Sequence, residues 1–514
     1  MAATFGLDFG TTNSVIAYIA PDPETRKLKP NLLLESGRPH PSVVWYDSGR
    51  AIVGRRAKEQ LSELGLGVFG DIVRSPKMYL GSTHGIDVGG VTRPAFDIVA
   101  DVIKYLRDDA LQRGSRNLFE AAVVTIPVGM PGPARAELRQ AAAKAGIRVH
   151  QFVHEPLAAL YGYLRSQPNF GRTIASLEGR MVLVFDWGGG TLDLTLCHIR
   201  DGMLTQVFNV GDRDVGGDFF DLRLRQLVRD KHERMHSNAD WSRVQPGADA
   251  RIIEACEDAK IFLSTRESTS IFLNDVLASG GPEKDIRIQH LARGEFENEV
   301  SDLVMRGLSR IDDLLSRAKL KKGSIEFCLA TGGMIGMPAI QSGLREIFGM
   351  NRLRLLSNAP TLIAEGAAWL AHDDVRLWLA KPLELLHAND SYVSILPAHT
   401  DLPVGGTSFQ TNPLSMYCVD PSDGFAKFLF ARPSWPGRES QGEERVPYGT
   451  LTVPVDPFSR PLLERLKVTV RVDHDLIAEV VAEATGRGQA QSVRIHDLEF
   501  GVRVGASGPP EDVR

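Results

Sequence analysis

Two short stretches carry residues whose types and spacing suit phosphate chemistry. The first is Thr4-Phe-Gly-Leu-Asp8-Phe-Gly10-Thr11-Thr12-Asn13-Ser14, running on into Val15–Ile19. The second is Met181-Val-Leu-Val-Phe-Asp186-Trp-Gly188-Gly189-Gly190-Thr191-Leu-Asp193. Each reads as strand, tight turn, strand, with an Asp at the end of the first strand, then small residues, then threonine. Glycines let backbone N–H groups approach phosphate oxygens and form an anion-binding concavity. Threonine hydroxyls add short donors. An Asp at each turn, facing the other across a cleft, can hold Mg²⁺ through its water shell. One such turn alone is no more than a turn. The pair reads as an internal duplication of a hairpin that grips a di- or triphosphate from both sides. Other phosphate motifs fail. There is no G-x-x-x-x-G-K-[ST], and the G-x-G-x-x-G at Gly65, Gly67 and Gly70 follows Ala57–Leu64, which reads as helix rather than strand, so a loop is expected there.

The elements that must hold these turns are legible as punctuated apolar runs. Ala122–Ile126, Met181–Phe185 and Phe327–Ala330 are short, apolar and soon followed by Gly or Pro, as buried strands are. Helical segments such as Ala134–Ala145 and Ala248–Ser264 lie between them, which predicts a layered α/β unit. After about residue 375 Pro and Gly become frequent. Leu466–Val472 alternates, and Leu476–Val481 follows across Asp473-His474-Asp475, a tight hairpin. Ser492–Ile495 and Phe500–Val504 look similar, so this part reads as a small antiparallel β domain. Pro433–Pro447 is expected to be a long exposed loop and 505–514 a frayed tail. Between the halves Asp373-Asp-Val-Arg-Leu-Trp-Leu379 is apolar where linkers are normally polar, which suggests a docking linker.

The chain has 514 residues with 24% charged and 43% hydrophobic, which excludes one small module and disorder over most of the length. A net charge of −5 offers no electrostatic case for nucleic acid or an anionic membrane. The amino terminus has neither the basic nor the apolar region of a secretory signal, and no stretch reaches the roughly 18 apolar residues of a membrane span. The four cysteines are scattered, Cys197, Cys256, Cys328 and Cys418, and are expected to be small buried residues of a cytoplasmic protein.

The two turns and Thr331-Gly332-Gly333-Met-Ile-Gly-Met-Pro338 occur in the order typical of the actin, sugar-kinase and heat-shock chaperone superfamily. His154-Glu155-Pro156-Leu-Ala-Ala159, Gly211-Asp-Arg-Asp-Val-Gly216-Gly217-Asp-Phe, Cys256-Glu257-Asp-Ala-Lys260 and Asp374-Val-Arg-Leu-Trp-Leu379 resemble the DnaK-type, seventy-kilodalton heat-shock chaperones. Ile395–Pro403 resembles the opening of their β-sandwich. The resemblance implies a two-lobed actin-like ATPase domain over 1–372, a linker over 373–381, a β-sandwich domain over 382–505 and a tail over 506–514. It implies ATP or ADP with Mg²⁺, and K⁺ as an optional further cation. Asp8, Gly10, Thr11, Thr12, Asn13, Gly188, Gly189, Gly190 and Thr191 would cradle the phosphates, and Gly216 and Gly217 would also bind the nucleotide. Asp8 and Asp186 would anchor the hydrated metal. Lys77, in Pro76-Lys77-Met-Tyr-Leu-Gly81, would stabilise the γ-phosphate and the attacking water, Glu155 would orient that water or the hydrated metal, Asp193 would help poise the water, and Asp186 and Thr191 complete the implied catalytic set.

Glu257, Lys260 and Ser264 share one helix face by their i, i+3, i+7 spacing, and in the family that face holds ribose and base. Gly332, Gly333 and Met334 would close the other side. Here the chain departs from the pattern: Gly-Gly-Ser-x-Arg becomes Gly332-Gly333-Met334-Ile-Gly336, and Thr361 replaces an acid. Pro127 and Arg139 resemble the relay from nucleotide to linker, although Val128–Leu138 carries a short insertion with extra prolines. No long amphipathic pattern follows Val504, so a lidless relative with faster peptide exchange is expected. The implied function is an ATP-dependent chaperone binding unfolded or extended peptide, served by a J-domain co-chaperone and a nucleotide-exchange factor. The alternatives are a nucleotide-gated scaffold with little turnover and a small-molecule kinase of the same superfamily.

Overall fold

The computed structural model describes residues 3–61, 67–113, 119–387, 390–437, 440–486 and 489–504. Two large sheets are built by the same sequence of moves. In the first, the order is Arg148–His154, Ala121–Ile126, Phe5–Phe9, Asn13–Pro21, Leu28–Leu33. In the second it is Leu353–Leu355, Ile325–Thr331, Met181–Trp187, Leu192–Arg200, Met203–Asp212. Each begins with an antiparallel meander and continues with two parallel strands on the far side of its first strand. The duplication read from the two turns is therefore a duplication of whole lobes. The parallel strands are covered on both faces, which is why Ala121–Ile126 is buried at every position and reads as a continuous apolar run.

Each lobe carries an outer addition. On the first, a four-stranded sheet of Arg50–Val53, Val43–Asp47, Ile72–Arg74 and Gly67–Phe69 leads into a short 3₁₀ turn, Pro76–Tyr79. Gly67 and Gly70 belong to this sheet and its turn; Gly65 lies outside the described residues. The helix expected over Ala57–Leu64 is the shorter Arg55–Lys58; 59–61 lie beyond its end, and 62–64 lie outside the described residues. On the second lobe stand helices Gly217–Met235 and Ala248–Leu263 and the hairpin Ser268–Leu273/Ile286–Ala292.

The last third forms two facing antiparallel sheets. One is ordered Tyr392–Leu396, Leu383–Leu386, Phe425–Pro433, Arg445–Pro454. The other holds Phe409–Gln410 and Leu414–Tyr417 on Arg465–Val472, followed by Ala478–Ala484 and Ala490–Ile495. Strict alternation buries Leu466, Val468, Val470 and Val472 on the inner face. The chain is thus a mixed α/β protein, a two-lobed actin-like unit with a β-sandwich.

The loop expected at Gly67 is instead the strand Gly67–Phe69, and two further expectations are corrected. Pro433–Pro447 is not loop throughout, because Arg445–Pro447 extends a strand paired with Ala431–Pro433. Phe500–Arg503 does not join the sandwich. It lies between Met203–Asp212 and Leu377–Leu379, so the second lobe's sheet ends with this strand and then Leu377–Leu379. Alternation specifies which residues face a core but not which sheet the strand enters. The tail from Gly505 lies outside the described residues. The four cysteines are buried and free. Among the described residues no helix is long and apolar enough to cross a membrane.

Candidate functional site

The two glycine turns face each other across a cleft of about 670 Å³ between the lobes. Asp8, Gly10, Thr11, Thr12 and Asn13 line it from one side, and Asp186, Gly188, Gly189, Gly190, Thr191 and Asp193 from the other. The approach is close: a Cβ on Gly189 would stand 2.9 Å from Thr12 Oγ1. The second turn is braced from behind, where Gly217 N donates to Gly188 O at 3.1 Å and Asp218 N to Gly189 O at 2.9 Å. Gly216 and Gly217 therefore support the phosphate turn rather than line the cleft. Gly332 has φ +93°, and a side chain there would run into Trp187 O and Asp186 Oδ1, so only glycine lets this loop lie against the strand end.

Beyond the turns sit the charged groups. Lys77 on its 3₁₀ turn is buried and donates to Glu155 Oε1 at 2.8 Å. Glu155 opens helix Glu155–Arg165, with Pro156 in the first turn, where proline and an acid both suit a helix start. Thr125 Oγ1 donates to Asp8 Oδ1 at 2.7 Å, and Thr191 Oγ1 to Asp193 Oδ2 at 2.7 Å. Burial pushes the Asp8 carboxyl up to about 6, with Glu155 adding to the rise and Lys77 and Thr125 opposing it. Burial likewise lifts Asp193 to about 6 against its bond to Thr191. Asp186 is raised well above the usual carboxylate range by burial, then by Glu155, Asp193 and Asp8. Four carboxylates thus share one ammonium, an excess of negative charge that a cation would relieve. Among the described residues no three His, Cys, Asp or Glu side chains converge as a metal cage. The donor set suits a cation kept in its own waters and touching phosphate oxygens, as Mg²⁺ prefers.

The opposite end of the cleft is lined by Glu257, Lys260, Gly332, Gly333, Met334 and Thr361. Lys260 Nζ donates to Asp221 Oδ2 at 2.7 Å and Gly217 O at 3.2 Å, which ties the helix to the phosphate turn. Ser264 does not line the cleft; its hydroxyl donates to Lys260 O at 3.1 Å. The Thr361 hydroxyl donates to Glu365 Oε1 at 2.7 Å.

Sequence reasoning missed the groups that bridge the two lobes over the cleft. Lys58 pairs with Glu257, Arg38 with Asp258 at 2.7 Å and Arg74 with Asp218 at 2.5 Å. Against its burial, Lys58 and then Lys260 hold the Glu257 carboxyl down to about 2. No spacing signal links such partners, which lie far apart in the chain.

Comparison with known proteins agrees with this geometry. A family model described as Hsp70 protein matches residues 83–374. The chaperone protein DnaK of Thermosipho africanus is 29% identical over 505 residues, covering 95% of this chain and 79% of the relative. That of Thermotoga neapolitana is 28% identical over 506 residues, with the same coverage of both chains. That of Deinococcus radiodurans is 30% identical over 390 residues, covering 72% of this chain and 59% of the relative. With its paired glycine turns, its cleft and a family match over more than half its length, this chain belongs to the Hsp70 family.

Proposed function

We propose that this protein is a chaperone that hydrolyses Mg·ATP and couples hydrolysis to peptide binding by its β-sandwich. The observation that carries the reading is the buried Lys77–Glu155 pair beside the carboxyls of Asp8, Asp186 and Asp193 and two facing glycine turns. Backbone N–H groups and the hydroxyls of Thr11, Thr12 and Thr191 would bind the phosphates. Mg²⁺ would supply charge neutralisation on their oxygens, with Asp8 and Asp186 holding its waters. Lys77 would stabilise the charge growing on the γ-phosphoryl group while Glu155 fixes the ammonium in place. Asp193, lifted to about 6, is suited to take the proton of the attacking water as that oxygen bonds phosphorus and the bond to the leaving ADP oxygen breaks.

Peptide binding is supported by an apolar rim at one end of the sandwich. Tyr417, Val419, Phe425, Phe458, Leu462 and Leu463 are all exposed, and backbone bonds between Cys418 and both Leu462 and Glu464 hold their two loops together. A patch of this kind marks an interaction surface, and open strands beside it offer main-chain pairing to an extended segment. A J-domain partner and an exchange factor belong to the same reading. A second reading, a nucleotide-gated scaffold with little turnover, is favoured by Met334, Gly336 and Thr361, where base contacts of the family pattern are replaced.

The test is Lys77→Ala. Turnover is expected to fall about a hundredfold or more, as for loss of a transition-state donor, with Mg·ADP binding retained. Turnover that survives the change refutes the mechanism. A wild type that binds nucleotide without measurable turnover selects the scaffold reading.

A further inference from the structure

The closing strand Phe500–Arg503 makes two ladders at once. On one edge Leu204 faces Val502 and Thr205 faces Gly501; on the other, Leu377 faces Val502 and Leu379 faces Phe500. Leu377–Leu379 therefore joins the second lobe's sheet through this strand, while Val375 O accepts from Gln151 of the first lobe at 2.7 Å. The fit is tight, since a Cβ on Gly501 would stand 2.6 Å from Thr205 Cγ2 and 2.7 Å from Leu204 O. Just before the strand, Glu499 pairs with Lys381 at 2.7 Å and Arg432 at 2.7 Å, so the same segment is fastened to the linker's end and to the sandwich.

The first residue of the strand reaches further. The Phe500 ring is fully buried and stacks on the His154 ring, centroids 4.0 Å apart at 25°. The His154 side chain also hydrogen-bonds that of Gln206, which neighbours Thr205 on the strand that Phe500–Arg503 pairs with. His154 ends its own strand and directly precedes Glu155, whose carboxylate grips Lys77. One ring contact thus separates the closing strand from the residue that precedes the proposed catalytic pair.

The geometry points to Phe500 as a positioning residue for hydrolysis: stacked on His154, it fixes the backbone that presents Glu155 to Lys77, and it does so only while the closing strand and linker are seated. The closing strand is on this account the part that tells the cleft whether the linker is docked. This rests on the proposed roles of Lys77 and Glu155. A core contact of merely structural value would lower stability and leave the chemical step alone, whereas misplacing a catalytic group by about 1 Å can cost on the order of a hundredfold in rate.

The experiment uses the full chain. Phe500→Leu keeps an apolar side chain but loses the stacked ring, His154→Asn keeps a donor for Gln206 but loses the other ring, and the two are then combined. Steady-state kcat and KM for ATP hydrolysis are measured for each, with single-turnover hydrolysis alongside to report the chemical step, at temperatures where melting curves show all variants folded. We expect kcat to fall about tenfold in either single variant, with KM within twofold, and no further fall in the double variant, because residues acting as a unit do not add. A kcat within twofold of wild type in Phe500→Leu, or losses that multiply in the double variant, overturns the assignment. Lys77→Ala run alongside separates failures: if it retains turnover, the proposed mechanism fails whatever Phe500 does. Amide exchange at Val153 and His154, the strand end that leads into Glu155 and pairs with Thr125 and Ile126, gives a readout that needs no turnover. Exchange about tenfold faster in Phe500→Leu supports the assignment, and unchanged exchange overturns it.

Discussion

Replacing Asp475 by Asn should loosen the sandwich from the first lobe, and the size of the effect can be worked from its contacts. Asp475 sits in the turn after Arg465–Val472, where its Oδ1 accepts from Arg139 Nε at 2.6 Å. Arg139 also donates to Val149 O at 2.7 Å and His474 O at 2.5 Å, and lies over the Phe152 ring at 4.8 Å. Its side chain is 15% exposed and that of Asp475 13%. Asn keeps the shape and removes the charge, leaving a mostly buried guanidinium without its counter-ion. Removing one partner of a buried pair costs about 3–5 kcal/mol. Two carbonyl partners and some water access remain, so roughly 2 kcal/mol should fall on the docked contact. That corresponds to about a 30-fold shift toward the undocked state. Protease cleavage within 373–381 and Trp378 fluorescence both report on seating of the linker, because the Trp378 indole is held by Asp401 at 2.7 Å and lies under Arg503. Cleavage rates within threefold of wild type, with an unchanged melt, would refute the reasoning.

Nucleotide binding should release protons near pH 6. In the empty cleft the raised carboxyls of Asp8 and Asp193 favour the protonated form, so they contribute stability below about pH 4 that is lost as pH rises through about 6. A bound divalent cation reverses this by favouring the ionised form. Calorimetry in two buffers of different ionisation enthalpy should show proton release at pH 6 that fades by pH 8, and no buffer dependence at pH 6 would count against cation contact with these residues. Lys58→Ala should speed ADP release about fivefold, the value of roughly 1 kcal/mol for a partly buried pair across the cleft. Stopped-flow release of a fluorescent ADP analogue reads this directly, and an unchanged rate removes the Lys58–Glu257 pair as a brake.

The features legible in the sequence were local ones. Asp8 and Asp186 announce their turns because a strand end, small residues and threonine lie within a few positions, and the lobes' buried strands show as apolar runs. Glu257 and Lys260 were picked out by the family resemblance, and helical spacing put them on one face, although Ser264 on that face bonds back to its own helix instead of lining the cleft. Lys58, Arg38 and Arg74 were not legible, because each meets a partner through the closing of two lobes rather than through any pattern along the chain. Phe500–Val504 shows the same limit in a strand. Its residues correctly read as extended, yet the choice between sandwich and ATPase sheet depends on edges that sequence does not display.

That choice has a consequence for how the chain is made. Met203–Asp212 emerges early in synthesis, but its edge partner for Met203–Thr205 is the last described strand, some three hundred positions on. Until then the nascent second lobe carries a bare edge, open to pairing with another chain. Completion of the ATPase sheet is a late, long-range closure, which is slow because chain ends so far apart must meet. A fragment cut after residue 372 would keep that edge uncovered permanently and open to pairing with a second copy.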